Sequence, residues 1–259
     1  MFGFCPLASG SKGNAIFLGS KKAKVLIDLG ISYKQLEIRL EKLSLTPADI
    51  DAIFVTHEHL DHIMGIKLFC QKHQVPVIAN FETAKGIYHQ FKEKPSFKIF
   101  TTGEPFNFLD LQVQTFSVQH DTLDPVGYVF DLGGYKVGVC SDLGFVTTMV
   151  YHQLKEVDLL YIEANHEVDM VHSSARPDVY KKRVLGRQGH LSNLQCKSLL
   201  EKIQNPKLKS IYLAHLSSEC NSPEKALQVM DSLKEHMAVK VCPQHQIAEP
   251  YYFEDFGLN

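Results

Sequence analysis

Apolar residues recur along this chain in short runs, and most runs are bounded by Gly, Pro, Asn or Asp. The runs FGFCPLA (2–8), AIFLG (15–19), KVLIDL (24–29), AIFVT (52–56) and VPVIA (75–79) are rich in Val, Ile and Phe at strand length. LQVQTFSV (111–118), GYVFDL (127–132), YKVGVC (135–140), LLYIEA (159–164), KSIYLAH (209–215) and VKVC (239–242) continue the series. Between several of them the apolar spacing widens to three and four. That spacing predicts helices over 33–43, 64–73, 193–203 and 222–236, the last opening on a Ser222 cap followed by Pro223. The first half reads as strand-dense and hairpin-like, the second as alternating strand and helix. The mixture predicts an α/β (α+β) chain, with sheets covered by helices in one continuous domain over residues 1–259.

Composition narrows the setting. The 259 residues allow a large core, and 44% apolar with 22% charged residues is ordinary for a globular protein. A formal charge of -2 gives no global pull toward nucleic acid, so any anion site must be a local patch. Six scattered cysteines with no CxxC read as small core residues in a reducing compartment. No basic leader with an apolar core and no membrane-length apolar run is present, so a cytoplasmic protein without membrane contact is expected.

One stretch breaks the apolar pattern. THEHLDH (56–62) concentrates three histidines and two acids directly after a strand-like run. In extended backbone His57 and His59 share a face, and a pair of neutral imidazoles can grip one zinc ion. Asp61 and His62 follow at the bend into a helix and point toward a second ion. His120, Asp142 and His215 each stand at the C-terminal edge of a further apolar run, where sheet proteins place ligands. Asp142 is the natural bridge, since one carboxylate can offer an oxygen to each ion.

The ordered set HxHxDH (57–62), His120, Asp142 and His215 resembles the metal signature of the metallo-β-lactamase superfamily. The resemblance implies an αββα sandwich, with two mixed β-sheets flanked by helices. It implies one site from His57, His59 and His120 and another from Asp61, His62 and His215, bridged by Asp142. It also places Asp28, in VLIDLG, behind the histidine loop as a support. Oxygen-reducing relatives carry Glu where this chain has His59, so zinc is favoured over iron, with manganese as the alternative. IEANH (162–166) and GHLSN (189–193) resemble paired motifs of tRNA 3′-processing endonucleases, which implies a catalytic His190 partnered by Glu163.

A closer resemblance, to the YycJ/WalJ family of DNA exonucleases, is carried by LASGSKGNAIFL (7–18), THEHLDHIMG (56–65), CSDLG (140–144), ARPDVYKKRVLGRQGHLSN (175–193) and AHLSSECN (214–221). It implies hydrolysis of a phosphodiester in DNA, 5′→3′, with two divalent ions activating water, Asp61 orienting it and His190 serving the leaving oxygen. An RNA-processing or small-molecule phosphodiesterase and a glyoxalase-II-like thioester hydrolase remain the alternatives. Arg176, Lys181, Lys182, Arg183 and Arg187 face a single acid, Asp178, within 172–190, a local cationic patch for a nucleic-acid partner. Ser9, Ser11 and Asn14 of SGSKGN, a turn suited to cradling phosphate, and Ser192 and Asn193 of GHLSN are the remaining candidate substrate contacts.

Overall fold

The first three apolar runs form an antiparallel meander, β1 (Gly3–Ala8), β2 (Ala15–Gly19) and β3 (Lys24–Leu29), in a computed structural model describing residues 1–92, 95–203, 205–235 and 237–253. From there the hairpin-like expectation gives way to parallel pairing. β3 pairs with β4 (Ala52–Phe54) across helix α1 (Tyr33–Glu41), and β4 pairs with β5 (Val77–Asn80) across α2 (Leu60–Ile63) and α3 (Ile66–His73). Helix α4 (Phe81–Phe91) then leads to β6 (Phe97–Phe100), parallel to β5.

Neither α4 nor β6 was expected from the spacing. α4 is started by Asn80, whose side-chain oxygen accepts from the Thr83 N–H at 2.8 Å. Its interior Gly86 weakens the helical signal, but a Cβ there would lie 2.6 Å from Cγ of Glu58, so the glycine is required by packing against the histidine loop.

The second sheet repeats the plan. β7 (Phe106–Phe108), β8 (Leu111–Ser117), β9 (Val126–Asp131) and β10 (Lys136–Cys140) are antiparallel neighbours. The chain then passes through α5 (Thr148–Leu154) to β11 (Leu159–Glu163), and through α6 (Val168–Ser173), α7 (Asp178–Leu185) and α8 (Asn193–Ile203) to β12 (Ser210–Ala214). α9 (Pro223–Val229) precedes β13 (Ala238–Val241), and β10 to β13 run parallel. β14 (Tyr251–Tyr252) returns to pair with β1. The helix expected over 222–236 breaks at Met230 into α9 and a 3-10 turn over Asp231–Leu233; residue 236 lies outside the described residues.

Two seven-stranded mixed sheets therefore face each other with helices outside both, the αββα sandwich. Rings fill the space between them. Phe54 of the first sheet meets Phe130 at 5.3 Å and Tyr128 at 5.8 Å edge to face, and Phe106 at 6.3 Å stacked. Polar clamps close the same interface at the end where the ligand strands stop. Tyr128 O–H donates to the Val55 carbonyl at 2.6 Å, and Ser9 Oγ and Tyr161 OH share a 2.7 Å hydrogen bond. Among the described residues no helix is long and apolar enough to cross a membrane.

Because Phe54 is fully buried in the shared core, Phe54→Ala should cost about 3–5 kcal/mol in urea unfolding. A loss under roughly 1 kcal/mol would place the ring outside that core.

Candidate metal centre

Six strand ends converge on one edge of the sandwich. Asp28 ends β3, His57 and His59 follow β4, His120 follows β8, Asp142 follows β10, Glu163 closes β11 and His215 follows β12. Three of these residues, Asp28 (φ 59°), Asp142 (φ 55°) and His215 (φ 53°), sit in the left-handed region. Asp and His tolerate that conformation better than most residues, but each such position costs on the order of 1–3 kcal/mol. Strain of this kind persists where the side chain is needed in one direction.

The side chains meet in four overlapping groups, two of them built on Asp142: His57, His62 and Asp142, and Asp142, Glu163, His190 and His215. His57, His59 and His120 each bring a donor atom within 4.8 Å of the others, and so do Asp61, His62 and His215. Asp142 joins them: its Oδ2 lies 3.3 Å from His62 Nε2, and its Oδ1 lies 3.5 Å from His215 Nε2 and 3.9 Å from His120 Nε2. Four imidazoles are held from behind through Nδ1. His62 is held by Asp28 Oδ2 at 2.8 Å, His215 by Glu163 Oε1 at 3.0 Å, His120 by the Gly189 carbonyl at 3.2 Å, and His57 by Thr56 Oγ1 at 3.0 Å. Each ring thereby turns Nε2 toward the common centre.

These residues fit a divalent cation. His57 Nε2, His215 Nε2 and Asp142 Oδ2 are buried with no hydrogen-bond partner, and leaving such atoms bare costs about 1–3 kcal/mol each. A cation would take all three. Of the donors, His62 Nε2 already has a neighbour, the Asn14 amide nitrogen at 3.0 Å. Burial, aided by His62, holds the His57 imidazole well below its usual range, and burial also lowers His120, leaving both neutral as ligation requires. Burial disfavours charge on His62, but Asp28, Asp142 and Asp61 outweigh it and raise the ring well above its ordinary value. Burial would likewise raise Asp142, yet His215 and His62 hold its carboxyl well below the usual range.

Glu163 is fully buried and serves two rings at once. Oε1 accepts from His215 and, at 2.7 Å, from His190 Nδ1, while Oε2 accepts the Leu143 and Leu191 N–H groups at 3.1 Å. Burial opposes its charge, but His190 and His215 hold its carboxyl down to about 2. His190 stands on the loop between α7 and α8, at the mouth of a cleft of about 210 Å³ that Ser11, Asp61, His120, Tyr180 and Arg183 also line.

Other expected substrate contacts are placed differently. Ser9, Asn14, Ser192 and Asn193 are 2%, 3%, 3% and 0% exposed, and their polar atoms are engaged inside the protein. Ser9 Oγ accepts the His215 N–H at 2.8 Å, and Asn14 reaches Asp61 Oδ2 at 3.3 Å. Ser192 caps α8 through the Gln195 N–H, and Asn193 donates to Asn221 Oδ1 at 2.9 Å. They are supports behind the site, not surface for a substrate. The SGSKGN turn uses its Gly10, Gly13 and Asn14 amides on Asn14 Oδ1, the Gly10 carbonyl and the Asp61 carbonyl, so it braces Asp61. Ser11 alone of its three candidates reaches the cleft.

The cationic patch is partly neutralised by acids distant in sequence. Arg176 pairs with Glu219, and Arg183 Nε donates to Asp121 Oδ2 at 2.6 Å. Lys181 donates to the His172 carbonyl at 2.7 Å, while Lys182 is exposed. Thr56, Asn165 and Asp121 were missed from the sequence. Asn165 lines the cleft and donates to the His215 carbonyl at 2.7 Å, and only the adjacency of Asp121 to His120 could have flagged it.

The chain belongs to the β-lactamase superfamily, whose domain model matches residues 23–215, an interval enclosing Asp28 and every expected ligand. Superposition agrees: the metallo-β-lactamase fold protein YhfI of Bacillus subtilis, 16% identical, gives a TM-score of 0.70 over 95% of this chain and 98% of its own. Within the superfamily of hydrolases the chain falls in the YycJ/WalJ family. It is 34% identical over 225 residues to exodeoxyribonuclease YycJ of Bacillus anthracis, covering 86% of this chain and 85% of that protein. To exodeoxyribonuclease WalJ of Streptococcus pneumoniae it is 34% identical over 233 residues, 88% and 87% of the two chains.

Asp28 orients His62 without reaching the centre itself. Asp28→Asn, which tolerates the same left-handed backbone, should weaken metal affinity about 10–100-fold in competition with a chromophoric chelator. Unchanged affinity would show that the Asp28–His62 contact does not tune the site.

Proposed function

We propose that this protein is a two-metal phosphodiesterase that degrades DNA in the cytoplasm as a 5′→3′ exonuclease, its whole chain acting as one domain. The observation that carries the reading is the gathering of ligand-type side chains around Asp142, with Glu163 shared between His215 and a cleft-lining His190. The names of the YycJ and WalJ relatives supply DNA as the polymer. Six free cysteines, five of them buried, support a reducing compartment; burial pushes the Cys5 thiol up to about 12.

His57, His59 and His120 would hold one ion, and Asp61, His62 and His215 the other, with Asp142 shared. Imidazole-rich donors favour zinc, and the carboxylates admit manganese. Bound there, the ions supply Lewis-acid charge for the phosphoryl oxygens and bring the pKa of water toward ~7. Asp61 is fixed by Asn14 at the cleft edge, where its carboxylate can orient the attacking water. Glu163 accepts a hydrogen bond from Nδ1–H of His190, which fixes the ring so that Nε2–H can hand its proton to the departing oxygen. Arg183 and Ser11, which line the cleft, would meet the phosphate chain.

End-labelled single- and double-stranded DNA and RNA, incubated with zinc or manganese, test the reading: DNA should shorten progressively from its 5′ end. Internal cleavage, or degradation of RNA alone, would refute it. His190→Ala should keep both ions yet slow DNA cleavage by roughly 10²–10⁴-fold, in the chemical step and not in affinity. A nitrophenyl phosphodiester, which leaves without a proton, should suffer less. Equal slowing of both substrates, or loss of metal, would give His190 a different role.

A further inference from the structure

Hollows larger than the catalytic cleft lie away from the metal centre. One of about 510 Å³ lies between α5 and α8, against about 210 Å³ for the catalytic cleft. The loop carrying His190 separates the two: His190 lines the cleft, while Leu191 lines the hollow. The loop after Asp142 joins them from the other side. Gly144 packs so closely on the 187–189 backbone that a Cβ would sit 2.5 Å from the Gly189 nitrogen, and Phe145, the next residue, lines the hollow. The His190 loop is thus a wall shared by the cleft and the hollow.

The lining chemistry is that of a single-strand track. Phe145 is 36% exposed, and the Arg187 guanidinium lies over its ring at 4.4 Å, a flat apolar surface with a cation stacked on it. Tyr151 adds a second aromatic, Gln195 and Ser198 add neutral hydrogen-bonding groups, and Lys202 stands at the α8 wall. Among the described residues the lining contains no carboxylate, so its charge is complementary to a phosphate chain. Sequence-independent binders of single strands combine aromatic platforms for bases with cations for phosphates.

We propose that the hollow between α5 and α8 is a binding site for the single-stranded part of the nucleic-acid substrate, with bases stacking at Phe145 and Arg187 and a phosphate at Lys202. This rests on the nuclease reading for its ligand and extends it beyond the cleft.

The test uses the metal-loaded full chain and a hydrolysis-resistant phosphorothioate oligothymidylate carrying one 5-iododeoxyuridine per strand. Ultraviolet cross-linking and peptide mapping should place the attachment at Phe145 or Tyr151. Phe145→Ala should weaken the oligonucleotide about 5- to 150-fold, the span for losing one stacked base, and Phe145→Trp should restore it. Lys202→Glu, on an exposed helix face, should lower the slope of log affinity against log salt by ~0.7 or more. Cross-links confined to other segments, with Phe145→Ala and Lys202→Glu binding as wild type, overturn the proposal, as does a wild-type chain that binds no oligonucleotide. DNA hydrolysis is assayed separately. Its absence beside cross-links in the hollow would sink the nuclease reading alone, and its presence without them would sink the hollow alone.

Discussion

A carboxylate buried to 2% exposure among imidazoles is the constraint around which this protein is arranged. Asp142 lies within 3.9 Å of the Nε2 atoms of His62, His120 and His215, and its Oδ2 has no hydrogen bond. An isolated charge in that position would be expelled or neutralised, since desolvation costs several kcal/mol. It stays because His215 and His62 beside it outweigh the burial and hold its carboxyl well below the usual range, and because those two rings are fixed on their far sides. The left-handed backbone at Asp28, Asp142 and His215 follows from the same need to aim side chains inward.

The sandwich exists at this edge to deliver those side chains. Parallel strands end together, so donors separated by up to 158 positions (His57 to His215) arrive at one place without long loops. Tyr128 to Val55, and Ser9 to both Tyr161 and His215, tie the two sheets together just where the ligand loops leave them. Stability and function meet at these contacts: each clamp joins the core to a segment that carries a ligand.

The gathering of candidate ligands was legible because His57, His59, His120, Asp142 and His215 each stand just past an apolar run, with Asp61 and His62 following in the same stretch as the first two. Asp28 and Glu163 also stand at strand ends, and their supporting positions emerged as the resemblance implied. The parallel half of the first sheet was hidden, since α4 carries Gly86 in its interior for packing against Glu58 and β6 is only four residues long. Ser9, Asn14, Ser192 and Asn193 carry the polarity of surface residues and lie in Gly- or Ser-containing loops. Their burial depends on Asp61, Tyr161, His215 and Asn221, which are far away in sequence. The cationic run is partly neutralised for the same reason: Arg176 and Arg183 find Glu219 and Asp121, 43 and 62 residues away. Likewise, the two sheets each run from antiparallel to parallel pairing although no internal repeat shows in the residues. Pairing pattern is carried by apolar spacing, which many sequences satisfy.

The account stands most directly on two ions sharing Asp142. Anomalous scattering measured at the zinc edge on zinc-soaked crystals decides it. Two peaks are predicted, one among His57, His59 and His120 and one among Asp61, His62 and His215, with Asp142 between them. A single peak, or density away from Asp142, would contradict the shared-carboxylate arrangement.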